Sequence, residues 1–280
     1  MIPIGLNLTS IGVSSAWWRE AARQAEAAGF TGIWCWDHFV SRGRRDSPVL
    51  ECWTTLTAAA AATNHIRVGS FVSNVMNRPP QVLARMLATL VDQVGAGARV
   101  ELGLGVGGYD AEMEAYGLYF PPPAERVARL AEAVDVLRLM WSGGPVDFEG
   151  EFFQLRAAHA FPVPSPPPRI IVGGEKPAGA RLAARVGDGW TTNAADYERL
   201  LPIHAEALTA AGRSRSGMAH LLAVDIARDV PLERQPLIAD MATFAAEWQA
   251  RGADELIVSW VRPAEMPALL EAAERAGLGG

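Results

Sequence analysis

Cysteine is scarce in this sequence, and its spacing fits neither a disulfide framework nor a zinc site. Only Cys35 and Cys52 occur in 280 residues, which is too few for a disulfide scaffold and matches no zinc motif. Because one falls in a predicted strand and the other in a predicted helix, we expect two packed, reduced thiols. The first residues also lack the basic and apolar segments of a signal peptide. We therefore expect a cytoplasmic protein.

Long apolar runs and an excess of basic charge are missing too. No run reaches the roughly 18 apolar residues of a membrane span. The net charge of −6 argues against nucleic acid or an anionic membrane as the main partner. The histidines and acids show no metal-ligand spacing, so no metal is predicted. A G-x-S-x-G elbow is also absent, which leaves a nucleophilic hydrolase poorly supported.

Short apolar runs alternate with helical patterns along the whole chain. Alternating strands and helices predict a parallel sheet, and eight such units in about 250 residues is the size of a (β/α)8 barrel. We predict one domain over residues 1–280, a (β/α)8 TIM barrel, with an open doubly wound sheet as the rival. An insertion at about residues 142–168 separates the helix after strand four from strand five. The predicted strands are 2–8, 32–39, 66–72, 99–104, 169–172, 189–192, 221–226 and 255–260.

A Ser-Pro pair predicts where the helix after strand two begins. Ser47 would be its N-cap and Pro48 its first residue, with Glu51 in the positively polarised first turn.

An acid and an imidazole, Asp37 and His38, end the second predicted strand. Ligands bind at the carboxyl ends of parallel strands. His38 could exchange a proton with a substrate or donate a hydrogen bond to it. A polar pair that caps the next turn is the commoner explanation for such a dipeptide. A functional role therefore depends on polar or glycine residues at other strand ends.

Two glycine-rich turns follow other predicted strands. Residues 103–108 match G-x-G-x-x-G, but a dinucleotide site needs an acid ending a second strand about 20 residues later. Residues 121–126 are Pro-Pro-Pro-Ala-Glu-Arg, so we reject that site. The glycines would instead let the backbone approach a flat ligand. The second turn, Gly173-Gly174-Glu175-Lys176, opens a helix; its N–H groups and lysine suit a phosphate. An ordinary turn is the alternative at both places.

Taken in order, these and other runs resemble the bacterial luciferase-like family of flavin- and deazaflavin-dependent barrel enzymes. The resemblance spans about residues 3–192, and only the βα pattern matches beyond it. The matching runs are Gly32–Phe39, Trp53–Leu56 with Ala62-Thr63, Ile66–Gly69, Arg78–Pro80, Glu101–Gly105, Glu125–Val127, Phe148–Gly150, Ile171–Gly174 and Gly187–Trp190.

The resemblance implies a (β/α)8 barrel, usually dimeric, with coenzyme F420 or FMN across its mouth. The Trp-Asp-His-Phe ending is similar to the F420-using branch, which implies that Asp37 contacts the deazaflavin and that His38 lies near its reactive face. It also implies a non-prolyl cis peptide at Phe71–Val72 behind the ring. The remaining implied cofactor contacts are Val106, Gly107 and Gly108 at the ring edge, and Gly173 and Gly174 at the phosphate, where the residue pattern itself adds Lys176.

One departure bears on the substrate. Sugar-phosphate dehydrogenases of this family carry a glutamate where this chain has Gly108, and a basic phosphate clamp has no clear match after Trp190. We therefore do not expect a sugar phosphate as the substrate. The apolar, tryptophan-rich mouth predicts a small, hydrophobic or neutral organic substrate, and Tyr116 and Tyr119, beside Phe120, could form a lid over it. The hypothesis is an F420-dependent oxidoreductase that moves a hydride to or from the deazaflavin C5. Alternatives are an FMN monooxygenase and a cofactor-binding barrel without turnover.

Overall fold

The computed structural model describes residues 1–95 and 97–279, and its strands and helices alternate as predicted. Eight parallel strands close into a barrel in the order β1-β10-β9-β8-β7-β4-β3-β2, which confirms the (β/α)8 fold. The eight barrel strands are β1 Ile4–Leu8, β2 Gly32–Cys35, β3 Arg67–Asn74, β4 Val100–Gly105, β7 Arg169–Gly173, β8 Gly189–Asn193, β9 Ala219–Asp225 and β10 Glu255–Val261. The other two described strands, β5 Pro145–Glu149 and β6 Gln154–His159, form a separate sheet.

Helices cover the outside of the barrel. Proline occupies the first turn of several of them, as expected where the backbone N–H has no helical acceptor. The helices are α1 Ser15–Ala27, α2 Cys52–Ala60, α3 Pro80–Val94, α4 Asp110–Ala115, α5 Pro123–Met140, α6 Pro177–Val186, α7 Ala194–Ala210, α8 Pro236–Ala239, α9 Met241–Ala250 and α10 Met266–Ala276. Within the described ranges, none of these helices combines the length and apolar character needed to cross a bilayer.

The predicted start of α2 at Ser47-Pro48 is wrong. The helix begins at Cys52, and the carboxylate of Glu51 caps it by accepting the backbone N–H groups of Trp53 and Thr54 at 3.1 and 2.7 Å. The segment before it is held extended against the loop after β1. There the Pro48 carbonyl accepts from the Gly12 N–H at 2.9 Å, and residue 49 pairs with residue 11. This pairing removes the Ser-Pro segment from the helix.

A tryptophan fills the centre of the barrel. Trp34 is buried with Ile171, Leu221 and Ile257, and the Phe71 ring packs on it edge to face at 6.5 Å. The indole takes the space that glycines leave on three neighbouring strands, since a Cβ at 5, 32 or 69 would meet it.

Buried ion pairs close the N-terminal end of the barrel. Arg67 donates to Glu101 at 2.9 Å and to Glu255 at 2.6 Å, and Arg169 donates to the same Glu101 oxygen. A cavity of about 490 Å³ opens beside this network. Polar groups at this end of a (β/α)8 barrel serve stability rather than catalysis.

Two histidines are sealed between α7 and the barrel wall. The His204 ring stacks on the Trp190 ring with their centroids 4.4 Å apart. The Nδ1 of His220 and the Tyr197 hydroxyl oxygen share a hydrogen bond of 2.8 Å. Both side chains are 0% exposed. Burial lowers the pKa of His204 to about 4 and that of His220 to about 3. Both imidazoles are therefore neutral at pH 7.

The chain between α5 and β7 forms a separate hairpin. Strands β5 and β6 pair antiparallel, and the Glu132 carboxylate on α5 accepts N–H groups from the turn that joins them. The return to the barrel contains cis peptides before Pro162 and Pro166. The hairpin lies within the residues 142–168 assigned to an insertion.

Candidate functional site

The residues singled out at strand ends meet at one rim of the barrel. Two side-chain amides link Asp37 to the glycine turn after β4. Asn77 donates a hydrogen bond to the Asp37 carbonyl at 3.0 Å, and Asn74 donates one to the Asn77 side chain at 3.0 Å. The Asn74 side chain in turn lies against Gly107. These residues meet because the carboxyl ends of parallel strands all lie at the same end of the barrel.

A cis peptide joins Phe71 to Val72 in β3, as the resemblance implied. The register of β3 against β4 shifts here, between residues 70 and 73. A Cβ added at Gly105 would lie only 2.7 Å from a methyl carbon of Val72, and a Cβ added at Gly173 would lie 3.3 Å from it. The missing side chains at Gly105 and Gly173 therefore make room for the Val72 methyl groups in the floor of the rim.

Glu112 on α4 holds His38. Its Oε2 lies 2.8 Å from Nδ1 of His38, and its Oε1 accepts the backbone N–H groups of Phe39 and Val40 at 2.6 and 3.0 Å. The glutamate is 1% exposed. One buried carboxylate thus fixes both the imidazole and the two residues that follow it.

The charge state of Glu112 determines the tautomer of His38. Burial alone would raise the pKa of this carboxyl, but its bonds with His38 and with the two backbone N–H groups outweigh burial and lower the pKa. An ionised carboxylate can only accept, so the 2.8 Å contact requires the proton on Nδ1. In the neutral ring the lone pair is then on Nε2, and the His38 side chain is 21% exposed.

Asp37 is held differently from His38. Its two carboxylate oxygens accept from both terminal nitrogens of Arg78 at 2.5 and 2.9 Å, and Arg78 also donates to Glu51 at 2.6 Å. Asp37 is buried. The structure gives this acid a bidentate partner that the sequence analysis did not anticipate.

The glycine-rich turn after β4 is anchored by Arg126 on α5. The guanidinium donates to the carbonyls of Val106 and Gly107 at 2.8 and 2.7 Å. Gly107 has a φ of 69°, a left-handed conformation that favours glycine. A side chain at Gly108 would meet nothing within 4 Å, so the surface beside it is open.

The second glycine turn corrects one expectation. The N–H of Gly174 is not free for a phosphate, because it donates to the Thr191 carbonyl at 2.8 Å. Gly174 also packs directly on Gly179 of α6, where a Cβ would come within 2.5 Å of the backbone. Lys176 is exposed and immediately precedes α6, and no side chain caps that helix. The helix start and Lys176, rather than Gly174, are the groups suited to an anion.

Sequence reasoning missed Glu112 and Arg126. Asp110, Glu112 and Glu114 alternate on a helix of six residues, and nothing in the sequence indicates which of them points inward. Among the described residues, nine buried side-chain atoms lack a hydrogen-bond partner. Sequence reasoning also missed two of them, Asn7 Oδ1 on β1 and Trp36 Nε1 just after β2, which belong to strands that end at this rim. Buried polar groups are normally paired, so these atoms suit a bound molecule.

Comparisons with known proteins give a consistent assignment. A family model described as luciferase-like monooxygenase matches residues 11–231. The F420-dependent glucose-6-phosphate dehydrogenase of Kineococcus radiotolerans is 33% identical over 216 residues, 75% of this chain and 63% of that protein. The F420-dependent hydroxymycolic acid dehydrogenase of Mycobacterium tuberculosis is 34% identical over 198 residues, 69% of this chain and 53% of that protein. The chain therefore matches less than two thirds of either relative's length.

A solved structure is similar over the whole fold. The F420-dependent secondary alcohol dehydrogenase in complex with an F420-acetone adduct superposes with a TM-score of 0.84 at 21% identity. The match covers 100% of this chain and 99% of that one. At this level of identity the likeness shows the fold alone.

Proposed function

Because this chain belongs to the luciferase-like monooxygenase family, we propose that it is an F420-dependent oxidoreductase that acts on a small organic molecule. The observation that carries the proposal is the Glu112–His38 pair, which leaves one imidazole nitrogen, Nε2, open at the rim of the barrel. When bound, F420 would supply the two-electron chemistry, with a hydride gained or lost at its C5.

The residues at the rim fit a planar cofactor. Val72 lies in the floor of the rim, where its methyl groups fill the space that Gly105 and Gly173 leave, and Arg126 holds the turn at Val106–Gly108. Gly173 continues this floor toward α6, where Lys176 and the uncapped helix start would hold a phosphate. Asp37, whose carboxylate is oriented by Arg78, would contact the ring.

His38 is the group that would exchange a proton with the substrate. Its Nε2 lone pair can accept the hydroxyl proton of an alcohol as the carbon is oxidised, and the imidazolium can return that proton in the reverse direction. The Glu112 carboxylate stabilises the imidazolium and keeps the ring oriented. We therefore place His38 in the catalytic role and Glu112 in a positioning role.

Cofactor titration tests the proposal. Purified protein is titrated with F420 and, in parallel, with FMN while cofactor fluorescence is followed. We expect F420 to bind, and Lys176→Gln, which removes the only lysine in the sequence, to weaken F420 binding. His38→Ala should reduce turnover far more than it reduces F420 affinity, whereas an equal loss of both would contradict proton transfer by His38.

The other outcomes identify the alternatives. Tight FMN binding with oxygen consumption would replace the proposal with a flavin monooxygenase. F420 that binds but is neither reduced nor oxidised with any alcohol or carbonyl compound would indicate a binding protein. The homodimer and the cytoplasmic location stay predictions from the sequence, and sedimentation of the purified chain tests the first.

A further inference from the structure

Trp260 has an unusual conformation at the carboxyl end of β10. Its φ is 60°, a left-handed value that bulky side chains rarely adopt because Cβ crowds the backbone. Its side chain is nevertheless 41% exposed. A large aromatic residue that is both strained and open to solvent gains little from burial. Such conformations cluster at functional sites.

Trp260 is connected to the proposed catalytic histidine by ring contacts. Its indole meets the Trp36 ring at 4.5 Å, edge to face, and the Trp36 ring lies 4.4 Å from the His38 imidazole. Trp36 is buried and His38 is fixed by Glu112. The three rings form an aromatic wall, Trp260–Trp36–His38, that runs from solvent to the group that would exchange the proton.

The charges around this wall do not favour an anion. Arg262, two residues after Trp260, is bound to Glu265 at 2.8 Å, and Arg78 is bound to Asp37. Arg126 is bound to backbone carbonyls. Arg42 lies over the Tyr109 ring at 5.0 Å, and that ring lies 6.4 Å from the His38 imidazole, so Arg42 is the basic group that these contacts place near the wall.

We propose that Trp260 is a specificity-determining residue, and that its indole stacks on a neutral, planar substrate whose carbonyl or carbinol carbon is conjugated to an aromatic system. The inference rests on the proposed function and names the substrate class of that site. A flat ring stacked on Trp260 would extend along the wall past Trp36, so that its attached oxygen points toward His38. A saturated ring of similar size cannot stack in this way.

Binding of two matched ketones tests the inference. The probes are 2-acetylnaphthalene, which is planar, and 2-acetyldecalin, its saturated counterpart. Calorimetry on protein loaded with oxidised F420 gives dissociation constants without turnover, because oxidised F420 has no hydride to give a ketone. We expect tighter binding of the planar ketone. Trp260→Ala should weaken it about fivefold to tenfold and leave the saturated ketone and F420 unchanged.

Two further variants separate stacking from a structural role. Trp260→Gly relieves the left-handed strain, so we expect an equal or higher Tm together with the same loss of planar-ketone affinity. Trp248→Ala removes a tryptophan from the outer helix α9 and should leave both affinities unchanged. Equal losses for the two ketones, or none, would overturn the inference. So would tighter binding of 6-acetyl-2-naphthoate through Arg42.

A failure of the substrate inference can be distinguished from a failure of the proposed function. If F420 binds and its turnover requires His38, but Trp260→Ala leaves the affinity for the planar ketone unchanged, only the substrate inference fails. If F420 does not bind, the proposed function fails. The same ketone pair titrated against the chain alone still measures whether Trp260 stacks a planar ligand.

Discussion

Replacement of Glu112 by glutamine tests the orientation of His38 by changing one atom. In the native chain, Oε1 of Glu112 accepts from the N–H groups of Phe39 and Val40, and Oε2 accepts from His38 Nδ1. An amide has one accepting oxygen and one donating nitrogen. The oxygen should stay with the two backbone donors, so the NH2 group of the variant would face Nδ1. Nδ1 must then accept, and the ring proton moves to Nε2.

The expected effects on folding and on activity differ in size. Three hydrogen bonds are retained, and only their charge assistance is lost, so the free energy of unfolding should fall by about 1 kcal/mol. Turnover should fall by roughly 10²- to 10⁴-fold, because Nε2 then carries a proton and cannot accept one from an alcohol. The reverse reaction slows as well, since a neutral imidazole is a far weaker acid than an imidazolium.

The assay combines kinetics with a direct view of the ring. F420 absorbance at saturating cofactor gives kcat, and ¹⁵N chemical shifts of the His38 ring report which nitrogen is protonated. Glu114→Gln, on an exposed position of the same helix, removes the same charge and should change neither reading. Native turnover in Glu112→Gln, or an unaltered tautomer, would refute the reasoning that the carboxylate orients His38.

The remaining predictions concern stability. Since both buried histidines have lowered pKa values, the unfolded chain binds their protons first, and stability is lost as pH falls below the unfolded value of about 6.5. From about pH 7 to about pH 5.5 the free energy of unfolding should fall by about 2.5 kcal/mol, and His204→Phe should halve that change in urea titrations. Arg67→Met leaves the buried Glu255 without an ion-pair partner and leaves Glu101 with Arg169 alone, and should cost about 3–5 kcal/mol in the same assay. Arg23→Met, at an exposed ion pair, should change little.

The fold could be predicted because buried parallel strands leave a clear trace in the sequence. Each barrel strand is a short apolar run between helical patterns, and the count of eight follows from it. The start of α2 could not be predicted from Ser47-Pro48. That signal is local, whereas the pairing of Val49 with Ile11 joins segments far apart in the chain, and the tertiary contact prevails.

The candidate site could be predicted only in outline. The placement of His38 and of the glycine turns at one rim follows from strand direction alone. The partner of His38 does not, because Glu112 lies on a helix of six residues too short to show a periodic face. Nor does the sequence show that strand pairing occupies the N–H of Gly174, or that Trp260 adopts a left-handed φ.

Proton exchange at this rim is assigned to His38 because its acidic neighbours are already engaged. Asp37 accepts from both nitrogens of Arg78. The two carboxylate oxygens of Glu112 accept hydrogen bonds from three donors. Gly108, where related sugar-phosphate dehydrogenases are expected to carry a carboxylate, has no side chain to offer. Among the described contacts of these side chains, the carboxylate oxygens and the Nδ1 of His38 are engaged, and the Nε2 of His38 is left for a substrate. If another residue took over the proton, the tautomer of His38 would not matter to the rate.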